Sequence, residues 1–263
     1  MVALSALFSV LLGGSAAHAQ IGIYLNAPRT SNSIFSNTKV ETFNALATGN
    51  ITSDYTSVIG TYHATASAPL NIERGNVAWA FDGTKHMAVG AQSGSTGAVS
   101  LLFANRQSYF GFGWAAGDSQ NRMDFYRGNT LLGSFSTATI QSILGGSTVT
   151  AINGSTYNTS TYRGQPASPS TNSGENYAFV NFFAKNGFQF DRIDFWNNNR
   201  SSGFESDNHT ILTSGSASPS GSLVYVTSTV NPVGLSAPEP SLSLGLLLVL
   251  PIALGFTKRR AVA

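Results

Sequence analysis

QSYFGFGWAAGDSQNRMDFYRGNTLLGSF, residues 107–135, repeats its large apolar side chains at every second position. In residues 109–114, Phe110, Phe112 and Trp114 fall on one face of an extended chain. Gly111 and Gly113 fall on the other face, where a neighbour can approach closely. Asp118, Ser119, Gln120 and Asn121 form a turn signal. Residues 122–126 read as the next strand, with Met123 and Phe125 on one side. Gly128 and Asn129 turn the chain again, and residues 130–135 return it. Strand, turn, strand, turn, strand at this spacing predicts an antiparallel meander.

The same pattern extends downstream. Residues 177–184, YAFVNFFA, are apolar on both faces, which predicts a central strand. Residues 190–196, FDRIDFW, put Ile193 and Phe195 inward and Trp196 outward. Residues 203–212 read as a last, partly exposed strand, and 223–229 add one more. One short helix is predicted over Thr137–Leu144, where Ile140, Ile143 and Leu144 have helical spacing and Gly145 ends the run. Residues 146–174 are rich in Ser, Thr, Asn and Gly, with weak strands near Val149 and Tyr157. The predicted fold is all-β: an antiparallel, jelly-roll-like β-sandwich with one short helix.

Composition agrees with that class. Charged residues are 10% of the 263, against roughly 25% in an ordinary soluble domain. Aromatic residues are 11%, enough to build a core. There is no cysteine, so disulfides and thiolate metal sites are excluded. Removing Lys258, Arg259 and Arg260 from 14 basic residues leaves 11, against 12 acidic ones. One of those acidic residues, Glu239, also lies in the C-terminal tail, and a near-neutral body carries no electrostatic footprint for nucleic acid.

The two ends read differently from the body. Residues 1–19 hold an apolar run over 2–12, small residues, then Ala17-His18-Ala19. That is the A-x-A cleavage pattern of a secretory signal peptide, so the mature chain is expected to start at Gln20. The departure from the pattern is that no Lys or Arg precedes the apolar run. The body is assigned to residues 20–232 and the C-terminal signal to 233–263. Residues 242–256 are uncharged and contain Pro251, a short transmembrane helix against the roughly 20 residues of a full span. Lys258, Arg259 and Arg260 then stay on the cytoplasmic side.

Pro238-Glu239-Pro240, the apolar helix and the terminal basic cluster together resemble the PEP-CTERM sorting signal. That resemblance implies an exported protein of a Gram-negative bacterium that makes extracellular polysaccharide. It also implies cutting at the PEP motif by an exosortase, then release or transfer to the cell surface. A permanent single-pass anchor is the alternative reading of the tail. The body is similar to a family of exosortase-dependent surface proteins. The similar segments are GTYHATAS (60–67), HMAVGAQSG (86–94), residues 107–135, ENYAFVNFFA (175–184) and FDRIDFWNNNRSSGFESDNHT (190–210). This second resemblance implies location and a sandwich fold, and no activity.

Chemistry is sparse. His18 leaves with the signal peptide, and His63 and His86 lie in separate segments without metal-ligand spacing. No G-x-S-x-G elbow or P-loop is present. The strongest polar cluster is Glu205-Ser206-Asp207-Asn208-His209, where Glu205, Asp207 and His209 would share one face of a regular strand. Glu205 and Asp207, with Glu41 from an early strand if the two are neighbours, make a carboxylate set suited to Ca²⁺. A transition metal at His209 and a solvated strand edge are the competing readings. Trp79, Trp114 and Trp196 are the other candidates, for stacking on a sugar ring or for core and rim packing, and Trp114 fits the core pattern. Trp196 leads, because it points outward and precedes the polar run Asn197-Asn198-Asn199-Arg200.

The expected function is therefore a non-enzymatic, exported protein of the cell surface or extracellular matrix, associated with exopolysaccharide or biofilm. Expected partners are signal peptidase and the general secretion machinery, an exosortase during transient inner-membrane insertion, and extracellular polysaccharide. No cofactor is assigned from the sequence, and calcium is the leading candidate. The alternative is a carbohydrate-binding module, with or without calcium, and a secreted hydrolase is the third reading.

Overall fold

The computed structural model describes residues 21–90, 93–115, 119–197, 202–214, 219 and 225–226. The period-two segments form two antiparallel sheets. The larger contains β1 (Ile21–Leu25), β2 (Thr38–Glu41), β3 (Gly49–Ile51), β6 (Leu70–Glu73), β7 (His86–Gly90), β9 (Tyr109–Trp114), β14 (Ala178–Ala184), β16 (Gly203–Leu212) and β17 (Tyr225–Val226). Its order is β17-β1-β14-β9-β16-β7-β6-β3, with β2 paired beside part of β16. The smaller sheet contains β4 (Tyr55–Thr56), β5 (Thr61–His63), β8 (Val99–Gln107), β10 (Asn121–Arg127), β11 (Thr130–Ser136) and β15 (Phe190–Asn197), in the order β11-β10-β15-β8-β5-β4. A small hairpin, β12 (Thr148–Thr150) with β13 (Thr156–Asn158), lies within the 146–174 excursion.

The inward faces meet in one apolar core, so the arrangement is sandwich-like. Phe182 on β14 shows how the layers join. Its ring lies 5.0 Å from Phe125 and 5.0 Å from Phe135 in the opposite sheet, and 5.8 Å from Phe112 in its own. Fully burying one such ring contributes roughly 1.5–3 kcal/mol. The helix α1 forms over Thr137–Leu144 as predicted. The Ser136 hydroxyl accepts from the Ala138 amide, and Ile140 and Leu144 are buried. β14 is flanked by β1 and β9 and is buried on both faces but for its last residue.

One strand departs from expectation. Residues 203–212 are not an exposed edge: β16 lies between β9 and β7, and all ten residues are buried. The reason is that its polar side chains are satisfied inside the protein. A bulge adds to the difference. The β16–β9 register shifts between Asp207 and Thr210, and Asn208 takes φ +51°. One extra residue reverses the side-chain alternation beyond it. Glu205, Asp207 and His209 therefore do not share a face. Phe204, His209 and Ile211 join the inter-sheet core, while Leu212 joins an outer cluster with Tyr24, Tyr109 and Phe183.

The glycines of the opening stretch act as the alternation predicts. A Cβ on Gly113 would lie 2.2 Å from Cδ1 of Phe81, a fully buried ring on the segment that crosses the outer face of the larger sheet. Gly113→Ala is expected to destabilise the protein by about 1–3 kcal/mol through overpacking. Urea denaturation checks this, and a change within error would show that the Phe81 segment lifts without cost.

Candidate functional site

No three of the predicted metal-binding and histidine positions converge. Glu41 does lie beside the last long strand, paired in register with His209. Its carboxylate is already engaged, accepting from the Phe43 amide at 2.7 Å and the Tyr55 hydroxyl at 2.9 Å. Desolvation, reinforced by the Glu41 carboxylate it bonds to, pushes the Tyr55 hydroxyl up to about 12. Glu205 and Asp207 alternate with the inward Phe204 and so lie on the outer face. The proposed calcium set is thus split between faces, and the described residues hold no group of three or more His, Asp or Glu side chains suited to a metal.

His209 is a core residue. Its ring stacks on Phe195 at 5.0 Å and 6°. Tyr62 Oη lies 2.8 Å from Nδ1, and Ser206 Oγ lies 3.0 Å from Nε2. Burial pushes its pKa down to about 3, so the imidazole is neutral at ordinary pH.

Asp207 finds a partner that the sequence did not suggest. Asp82, on the crossing segment, meets it on the outer face of the larger sheet. Thr84 Oγ1 lies 2.6 Å from Asp82 Oδ1 and 3.1 Å from Asp207 Oδ2. Asn208 Nδ2 donates to Asp82 Oδ2 at 2.9 Å, and the Asn208 amide donates to Asp207 Oδ1 at 2.7 Å. Burial, then the neighbouring Asp82 charge, hold the Asp207 carboxyl well above the usual range. Paired carboxyls of this kind serve acid–base chemistry in other settings, but Asp207 has no exposed surface for a substrate to reach.

The three tryptophans separate clearly. Trp114 is core. Trp79 is 41% exposed, and its indole N–H donates to Glu73 Oε2 at 2.6 Å. Trp196 projects from the outer face of the smaller sheet and is half-buried. Around it lies a polar–aromatic surface set by cross-strand register. Ser134, Asp124, Asp194 and Ser100 stand in register across β11, β10, β15 and β8. On one side of this row Arg122 pairs with Trp196, and on the other Tyr126 pairs with Arg192.

Each arginine serves two neighbours. Arg122 donates to Asp124 through Nε at 2.9 Å and through Nη2 at 2.6 Å. Its guanidinium carbon lies 6.0 Å from the Trp196 ring. Arg192 Nε lies 3.0 Å from Asp194 Oδ1, and its guanidinium carbon stands 4.0 Å from the Tyr126 ring. Ser134 Oγ donates to Asp124 Oδ1 at 2.6 Å. Burial raises the Asp194 pKa, with the adjacent Asp124 acting in the same direction against Ser100 and Arg192. Leu102, 43% exposed, lies beside Arg192 in the next strand, so this face is open to solvent.

Two neighbouring clefts open near Lys39 of β2. Lys39, Asn105, Gln107 and Ile211 line both of them, with volumes of about 430 and 310 Å³.

Sequence inspection singled out Trp196 but missed its partners. The signal was available: Arg122-Met123-Asp124-Phe125-Tyr126 and Arg192-Ile193-Asp194-Phe195-Trp196 are the same R-x-D-F-aromatic pattern. The expected positions Ala17, Ala19, Gln20, Pro238, Glu239, Pro240, Lys258, Arg259 and Arg260, and residues 242–256, lie outside the described residues. No helix among the described residues is long and apolar enough to cross a membrane. Comparisons with protein-family models, with curated proteins and with solved structures return no match.

Proposed function

We propose that the chain is a non-enzymatic, exported surface or matrix protein, sorted and processed by an exosortase and associated with extracellular polysaccharide. One observation carries this reading: Pro238-Glu239-Pro240, an uncharged run over 242–256 and the cluster Lys258-Arg259-Arg260 follow one another in that order. The Ala17-His18-Ala19 pattern supports entry into the secretion pathway through signal peptidase. The short apolar run is marginal as a permanent span, which favours transient insertion in the inner membrane before release. The all-β body, with few charges, suits a jelly-roll-like sandwich working outside the cell.

Changing Pro238, Glu239 and Pro240 together to alanine is expected to abolish C-terminal processing and leave the protein in the inner membrane. Immunoblots of membrane and surface fractions read the outcome. Normal processing and delivery of the triple variant would remove the exosortase from the account.

A second reading, a carbohydrate-binding module, is favoured by the solvent-open face around Trp196 and Tyr126. The separation of Glu41 from Glu205 and Asp207 favours sugar binding without calcium in that reading.

A further inference from the structure

Charged residues are only 10% of this chain, so a cleft that gathers cations without a carboxylate is a distinct feature. We infer that the two neighbouring clefts beside Lys39 bind an acidic oligosaccharide, whose uronate carboxylate is held by Lys39 and Arg106. The inference rests on the polysaccharide reading above and gives it a location and a ligand class. Lys39 comes from β2 in the larger sheet and Arg106 from β8 in the smaller, and both line the cleft of about 310 Å³. Lys39 also lines the cleft of about 430 Å³, so one cation serves both. Neither cleft has Asp or Glu in its lining, and Trp196, Tyr126, Arg122 and Arg192 are not part of it.

The polar groups here are accessible and largely unengaged. Lys39 is exposed, and among the described residues its ammonium group has no hydrogen bond or ion pair. The exposed side-chain amides of Asn105 and Gln189 have no partner among those residues either. The Arg106 side chain is 52% exposed, and its Nε lies 3.7 Å from Asp191 Oδ2, too far for a hydrogen bond. Asp191 Oδ1 accepts instead from the Gly128 amide at 2.8 Å. Gln107 is committed, donating through Nε2 to the Asn105 carbonyl at 2.9 Å.

Three features select the ligand. Two cations, with no third charge and no helical residue in the lining, match a group of single negative charge. A carboxylate fits that count, and the guanidinium fork of Arg106 can meet it with two parallel hydrogen bonds. The amides of Asn105 and Gln189 can both donate to and accept from sugar hydroxyls. Val58 and Leu102, 62% and 43% exposed, give the larger cleft an apolar wall for the C–H face of a sugar ring. A uronate unit carries all three groups: carboxylate, hydroxyls and C–H face. A neutral sugar leaves both cations unused, and a fatty carboxylate leaves the amides unused. Each volume lies within the range of about 300–1,000 Å³ for small-ligand sites, and the shared lining lets one short chain run across both clefts.

The test titrates the full-length chain by calorimetry with trigalacturonate and an alginate trimer, and with cellotriose, octanoate and inorganic phosphate. At least one uronate trimer is expected to bind, and to bind more weakly as salt rises from about 0.05 to about 0.5 M. Lys39→Gln is expected to weaken it by about tenfold or more, the loss of one charge-assisted contact, and Lys39→Arg to retain it. Arg106→Gln is expected to weaken it too, and Trp196→Ala to leave it unchanged. If a variant does not fold, hydrogen–deuterium exchange on the native chain replaces it, with protection by the bound trimer expected on β2 and β8. No uronate binding at millimolar concentration would overturn the site, as would binding that survives Lys39→Gln and Arg106→Gln or falls only with Trp196→Ala. Cellotriose, octanoate or phosphate binding as tightly as the uronates would overturn the ligand class. Sedimentation of the native chain with the polymer recovered from the producing cells reads the polysaccharide association separately. Co-sedimentation without uronate binding removes the cleft and keeps that association, and the absence of both removes both.

Discussion

Replacing His209 with alanine is expected to destabilise the fold by about 3–5 kcal/mol, the range for removing a large buried ring. The ring occupies the space between the sheets. It stacks on Phe195 and meets Phe43 and Phe110 edge-on at 5.1 and 5.4 Å. Removal would leave a cavity and would also orphan two buried hydroxyls, on Tyr62 and Ser206. Urea denaturation at neutral pH measures the effect. A loss below about 1 kcal/mol would mean that the site collapses or hydrates freely, against the packing described here.

A large pH effect should come from the same residue. Burial holds its pKa at about 3, down from 6.5. Between those values the unfolded chain binds a proton that the folded chain does not. Stability is therefore fully present above 6.5 and is lost as pH falls toward 3, at up to about 1.4 kcal/mol per pH unit. Asp207 acts in the opposite sense. Its raised pKa stabilises the folded state below the ordinary carboxylate range, and that contribution is lost as pH rises through the folded value. His209→Gln isolates the histidine. The stability difference between native protein and variant is expected to shrink by about 2–3 kcal/mol from about pH 7.5 to about pH 4.5. A difference that does not change with pH would contradict a neutral, buried His209.

The fold was largely legible because its strands announce themselves. Phe110, Phe112 and Trp114, then Met123 and Phe125, then Ile193 and Phe195 all face the core as their alternation predicts. Gly111 and Gly113 also mark the face where aromatic rings press against the sheet. The failure at residues 203–212 has a physical cause. Glu, Ser, Asp, Asn and His in succession look like a solvated edge when burial of polar groups is judged residue by residue. Their partners, Asp82, Thr84, Tyr62 and Ser206, make burial affordable, and all but Ser206 come from distant segments. The bulge at Asn208 was equally hidden, because a single left-handed residue leaves no mark on a period-two pattern.

The candidate site was half legible. Trp196 was found from its offset to Phe195, since parity along one strand is a local property. Asp124, Asp194, Arg122, Arg192 and Tyr126 were not found, because cross-strand register belongs to a pair of strands. The shared R-x-D-F-aromatic pattern is the trace that register left in the sequence.

The central claim is that both ends are removed as the protein is exported and sorted. Intact mass spectrometry of the protein recovered from the cell surface tests it most directly. The account predicts a chain that begins at Gln20 and ends at or near Pro238-Glu239-Pro240, without residues 242–263. A surface species that retains 242–263 would contradict it.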